Sequence, residues 1–147
     1  MGLESPRVPY RKATIRPLRD EDGSVLFTQA RGVFGAKSAW DDRRTLTALE
    51  TDTVFVAELE GGPAGFVALE QAADTIRIAH LFVNPVHEGE GVGRQLLEYA
   101  EGYAISTGAI RLQVVVEDDN RRALDFYRGR GFVTQGAELL ELALPQA

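Results

Sequence analysis

Between residues 83 and 97 the chain reads VNPVHEGEGVGRQLL, and those residue types at that spacing suit the binding of a phosphate. Gly89, Gly91 and Gly93 stand at alternate positions where an apolar run ends at Asn84-Pro85 and a helical period begins. Glycine lets the backbone approach a ligand closely and take positive φ without a steric penalty. The helix that follows turns unpaired N–H groups and the positive end of its dipole toward this turn. A nucleotide-like ligand is the expectation. Glu88 and Glu90 interleave the glycines and put negative charge where an anion would bind. The turn lacks the GKS or GKT of a P-loop, and its spacing is not that of a dinucleotide-binding fingerprint. Taken alone it is also compatible with an ordinary strand-to-helix loop.

The elements around this turn form an alternating α/β pattern. Residues 13–18 read as a short strand, and Asp20-Glu21-Asp22 opens a helix carrying Val25, Leu26, Ala30, Val33 and Phe34 at helical spacing. Residues 38–50 predict a second helix. Residues 53–59 and 64–70 are strands joined through Glu60-Gly61-Gly62-Pro63, and residues 75–83 complete an antiparallel meander. A helix from about Gly91 to Ser106 buries Val92, Leu96, Leu97, Ala100, Tyr103 and Ala104, with Gly108 at its C-terminal cap. A strand over 110–116 leads to Asp118-Asp119-Asn120, a set of N-cap candidates for a helix to about Arg130. A last strand spans 138–144. The order β-α-α-β-β-β-α-β-α-β predicts a mixed central sheet flanked by helices.

Composition narrows the function classes. A chain of 147 residues with 44% apolar and 26% charged content is one domain, residues 1–147, with residues 1–11 as an N-terminal arm. A net charge of -6 argues against non-specific nucleic-acid binding, which needs lysine and arginine to neutralise phosphates. The absence of cysteine removes disulfides, thiolate catalysis and Cys-type zinc sites, and no metal is expected. No apolar run approaches the roughly 18 residues of a membrane span, and the first ten residues lack a signal-peptide core. The expectation is a soluble cytoplasmic protein with no membrane partner.

A second constellation lies downstream: Asn120, Ala123, Phe126-Tyr127 and Gly131-Phe132. Together with Val83-Asn84-Pro85 and Gly91-Val92-Gly93, these residues make the chain resemble the GNAT superfamily of acyl-CoA-dependent N-acetyltransferases. That family has an apolar strand ending in Val-x-Pro, then Gln or Arg-x-x-Gly-x-Gly or Ala. Farther on it has Asn, Ala three residues later, an aromatic-Tyr pair and a Gly-Phe. The motifs cover residues 76–132, and the element order agrees with a GNAT-like fold.

The resemblance implies acetyl-CoA as acyl donor and a primary amine as acceptor. It implies that Leu81, Phe82 and Val83 offer backbone groups to the pantetheine arm at a splay between two strands. Backbone N–H groups across Glu88, Gly89, Glu90, Gly91, Val92, Gly93 and Arg94 then take the pyrophosphate. An amide near Phe82 holds the thioester oxyanion. Tyr127 protonates the leaving thiolate, a phenol with a reference pKa of about 10 being protonated at neutral pH; its alternative is a core aromatic spaced from Ala123. Asn120 bonds the cofactor arm or orders the helix start.

The chain departs from the family at Glu88, where Gln or Arg is usual, and at Glu90; both are expected to be solvated acids, with Arg94, Arg121 and Arg122 restoring positive potential, and a degenerate site with weak acyl-CoA affinity is the alternative. The family's usual glutamate base falls on Arg77 or Val115, neither of which can serve. His80, with a reference pKa of about 6.5, is the candidate contributor beside ordered water, and a packed histidine is its alternative; Glu70 and Glu117 are other routes, since a carboxylate can relay through one water. Trp40, Phe34, Asp41 and Asp42 are candidates for the acceptor side. With no cysteine, direct attack in a ternary complex is favoured over a covalent enzyme intermediate. A homodimer is compatible with the resemblance. The rival functions are a non-catalytic acyl-CoA-binding sensor and an assembly subunit.

Overall fold

Strand and helix periods in the chain assemble around one sheet. The computed structural model describes residues 10–34 and 53–146. Its elements are β1 (Thr14–Pro17), α1 (Asp22–Phe34), β2 (Thr53–Leu59), β3 (Gly62–Ala72), β4 (Thr75–Val83), α2 (Val92–Ser106), β5 (Arg111–Val115), α3 (Arg121–Gly129), β6 (Val133–Gly136) and β7 (Leu139–Ala143). A single 3-10 turn, Pro85–His87, precedes α2. The expected helix over 38–50, and with it Trp40, Asp41 and Asp42, lies outside the described residues. No helix among those described is long and apolar enough to cross a membrane.

Among the described residues the strands form one seven-stranded mixed sheet in the order β1-β2-β3-β4-β5-β7-β6. The meander β2-β3-β4 is antiparallel, and β4 pairs β5 in parallel, as a crossover through α2 demands. A GNAT-like α/β fold results. One strand was not expected: β6 precedes the predicted last strand and pairs antiparallel with it. All four β6 residues are exposed, so the segment VTQG carries no apolar alternation to reveal it.

Helices cover both sheet faces. Leu26 of α1 packs with Val54, Val56, Phe66 and Phe82 on one side. On the other, α2 buries Val92, Leu96, Leu97, Ala100 and Ala104 against Val67, Leu69, Ile76 and Ile78. Each of the valine, leucine and isoleucine side chains contributes about 1.5–3 kcal/mol of transfer free energy, the alanines less. Phe55 of β2 adds ring contacts to Tyr99 and Tyr103 of α2 at 4.7 and 5.1 Å between centroids. The C-terminus of α2 closes with Gly108 at φ 82°. There the Gly108 N–H donates to Ile105 and the Ala109 N–H to Ala104, a Schellman arrangement that satisfies the last carbonyls.

Candidate active site

The site begins with a bulge. Ala68 of β3 sits opposite His80 of β4, but Leu69 sits opposite Ile78, so Ala79 is an extra residue on β4. A bulge shifts the side-chain alternation by one and bends the strand. Ile76 and Ile78 face α2; past Ala79 that face passes to Leu81 and Val83, while Phe82 turns to the α1 core. The bend also ends the pairing with β5. The last parallel partners are Ile78 and Val114, and β4 continues to Val83 paired on the β3 side alone.

The backbone edge left open belongs to two residues. Asn84 N–H donates to Ala64 at 2.8 Å, which makes residues 64 and 84 a hydrogen-bonded antiparallel pair. Two residues back, Phe66 and Phe82 form the next such pair, with their N–H and C=O groups pointing at each other's strand. Leu81 and Val83 fall between, so their N–H and C=O groups point into the gap beside β5. The backbone of Phe82 therefore serves the sheet and that of Leu81 and Val83 serves the gap.

Below the gap, Gly89 and Gly91 take φ 81° and 84°, a left-handed region that side chains with Cβ enter only at a cost of about 1–2 kcal/mol. Gly91 is the N-cap of α2, and the first helical rung is Gln95 N–H to Gly91 C=O at 3.1 Å. The N–H groups of Val92, Gly93 and Arg94 consequently have no helical acceptor. A Cβ on Gly91 would stand 2.6 Å from the Tyr10 ring, which shows how closely the described end of the N-terminal arm, at Tyr10, covers the turn.

That arm is tied down by side chains. Gln95 of α2 is buried; its Oε1 accepts Ala13 N–H at 2.9 Å, and its Nε2 donates to Arg11 C=O at 2.7 Å and Gly91 C=O at 3.1 Å. Arg11 N–H donates to Glu90 C=O at 2.9 Å. The Glu90 carboxylate, with only 11% of its side chain exposed, meets Arg11 Nη1 at 3.4 Å and His87 Nδ1 at 3.0 Å. This corrects the expectation of a solvated acid: Glu90 is a buried anchor between arm and turn. Glu88 stays exposed and pairs with Arg122 Nη2 at 3.3 Å, so its charge is offset across the opening.

Helix α3 supplies the opposite wall. Asn120 is its N-cap, with Oδ1 accepting Ala123 N–H at 3.2 Å, which is the helix-ordering alternative for that residue. Tyr127 is buried and meets the rings of Phe126 and Phe132 at 5.1 and 5.3 Å. Burial pushes its phenol above the ordinary value, because the phenolate is poorly solvated there. The end of α3 is pinned to α2 through Arg130, which reaches Glu98 at 3.5 Å and Glu101 at 3.6 Å.

These parts open on one cleft of about 600 Å³. Of the residues singled out in the sequence, Leu81, Val83, Glu88, Gly89, Gly91, Val92, Gly93, Arg94, Asn120 and Tyr127 line it. Phe82 and Glu90 do not, for the reasons of parity and anchoring just given. Nor is His80 among the lining residues; the bulge puts it on the Phe82 face, half-buried, and it borders the gap only through its place on β4. The lining also includes His87, Arg122, Ala123 and Phe126. His87 was not anticipated, although its position three residues before Glu90 was a readable sign of a pair across one turn. Among the described residues no cluster of three or more metal-ligating side chains occurs.

Comparison with known proteins agrees with this arrangement. A model of the acetyltransferase (GNAT) family matches residues 19–132. The chain is 30% identical over 139 residues to a streptothricin acetyltransferase from Streptomyces lavendulae, covering 93% of this chain and 66% of that protein. It spans less than two thirds of the length of the first curated relatives it matches. The fold is that of the PaiA N-acetyltransferase from Thermoplasma acidophilum solved in complex with coenzyme A (TM-score 0.76, 22% identity, 90% of this chain and 99% of that one). It is also that of the ribosomal-protein-S18-alanine N-acetyltransferase from Escherichia coli (TM-score 0.72, 22% identity, 92% and 95% covered). With its open strand edge, glycine turn and buried tyrosine on a single cleft, the chain belongs to the acetyltransferase (GNAT) family.

Proposed function

We propose that this chain is an N-acetyltransferase that moves an acetyl group from acetyl-CoA to a primary amine of a small molecule or peptide, by direct attack in a ternary complex. One observation carries the reading: the free edge of β4, the N-terminus of α2 and the Tyr127 side chain share one cleft. The edge of Leu81 and Val83 suits an amide-bearing pantetheine arm, which can add to β4 as a strand would. The N–H groups of Val92, Gly93 and Arg94 suit the pyrophosphate.

In the proposed step the amine nitrogen bonds to the thioester carbonyl carbon and the C–S bond breaks. A gap-facing N–H of β4 stabilises the carbonyl oxygen as it gains charge. Tyr127 gives its hydroxyl proton to the departing sulfur. The proton lost by the amine passes to water, with His80 contributing from the other face of the sheet, and returns through solvent to the tyrosine. The net change is one amide and one thiol.

Calorimetric titration with acetyl-CoA and a thiol-release assay over an amine panel test this. Streptothricin, for which a relative is named, heads the panel. Saturable binding with thiol release that depends on an added amine supports the reading. No binding at millimolar acetyl-CoA sinks it. Binding without turnover across the panel leaves the sensor reading in its place. A pH–rate profile unchanged by His80→Ala removes the histidine from the step.

A further inference from the structure

We propose that His87 is a phosphate-contacting side chain of this cleft, held in that role by the buried carboxylate of Glu90. The proposal rests on the reading that the cleft takes a CoA thioester, and concerns how the phosphate end is held.

Four observations carry it. His87 lines the cleft. Its Nδ1 lies 3.0 Å from Glu90 Oε1, and a carboxylate there makes Nδ1 the donor. The second oxygen of Glu90 meets Arg11 Nη1, and the Glu90 carbonyl accepts Arg11 N–H, so the acid is fixed to the arm and cannot follow the ring outward. Among the described residues Nε2 of His87 has no hydrogen-bond partner, and its side chain is 22% exposed. The ring is thus oriented through one nitrogen and offers the other.

The charges around it point the same way. Glu90 faces the ring from its own loop, and Arg11 of the arm reaches it only through Glu90. The other charged lining groups are already engaged: Glu88 with Arg122 of α3, and Arg94 of α2 with Glu98. A ring that carries hydrogen on both nitrogens donates to Glu90 through Nδ1 and to a phosphate oxygen through Nε2, a charge-assisted bond. Glu90, which looked like an obstacle to an anion, becomes the residue that orients a donor for it.

The test is calorimetric titration of the full chain with CoA, and with phosphate-free pantetheine. Wild type, His87→Gln and Glu90→Gln are compared. The expected result is CoA affinity about tenfold higher for wild type than for His87→Gln. Glu90→Gln, which keeps a group able to bond Arg11, shows a loss as well. Pantetheine binds alike to all three. A loss shared by pantetheine overturns the proposal in favour of a purely structural histidine. If wild type binds no CoA, the functional reading falls and this inference with it. CoA binding that is intact and equal in His87→Gln overturns the inference alone.

Discussion

Tyr127 is asked to be a proton donor, and its surroundings decide how well it can. The side chain is 6% exposed, packed between Phe126 and Phe132, and burial raises its pKa. A phenol in that setting stays protonated across the neutral and mildly alkaline range, which a donor to a leaving thiolate requires. Tyr127→Phe is expected to lower kcat by about a hundredfold, with KM for acetyl-CoA changed by less than about twofold, in a thiol-release assay. A wild-type rate that declines between pH 8 and 9 together with tyrosine ionisation would count against the assignment. Stability should barely move, because among the described residues the hydroxyl has no hydrogen bond to lose.

Helix α2 does two jobs at once. Its apolar face packs on the sheet while its first turn presents N–H groups to the cleft, and Gln95 links the two. It is 9% exposed, and its three hydrogen bonds hold the arm at Arg11 and Ala13 and the turn at Gly91. Gln95→Ala is expected to cost about 2 kcal/mol in urea denaturation, since it strands the Ala13 N–H and the Arg11 carbonyl. CoA affinity should fall with it, because the Gly91 turn loses its tether. A change below about 0.5 kcal/mol would mean that water replaces the amide and that the arm is not held through this residue.

Across the whole molecule the sheet's first edge is secured by charge. Arg16 of β1 donates to Asp22 at 2.6 and 2.9 Å and to Glu58 of β2 at 3.1 Å, with Arg16 and Asp22 both buried. The Arg16 hydrogen bonds hold Asp22 below the usual carboxylate range. Folding lowers this pKa, so the stabilisation is complete above the unfolded value of about 3.9 and is lost as pH falls through the lower folded one. Glu101, whose pKa is raised by burial, contributes with the opposite sign. Thermal melts from pH 7 to pH 3 should show Tm falling below about pH 4. Asp22→Asn is expected to lose about 3 kcal/mol at pH 7, because it leaves a buried guanidinium short of its partner, and to flatten the acid fall. An equally steep fall in the variant would assign the acid sensitivity elsewhere.

Local pattern was enough for much of this protein. The meander and the helices at 92–106 and 121–129 were legible because period and caps act over a few residues, and β2 and β4 fell where alternation put them. The glycine turn and the Asn120 cap were legible for the same reason, whereas Tyr127 was singled out through the resemblance to the GNAT superfamily. What only the tertiary structure decided depends on partners far along the chain. Arg11 and Glu90 are 79 residues apart, so nothing near Glu90 announced its burial. One extra residue at Ala79 moved Phe82 and His80 to the other face of the sheet, and alternation alone could not predict it. The gap beyond Ile78 and Val114 arises where two strands 36 residues apart stop pairing. Residue types along the chain suggested that a phosphate-bearing ligand could be held; long-range pairing decided which backbone groups and which histidine face the cleft.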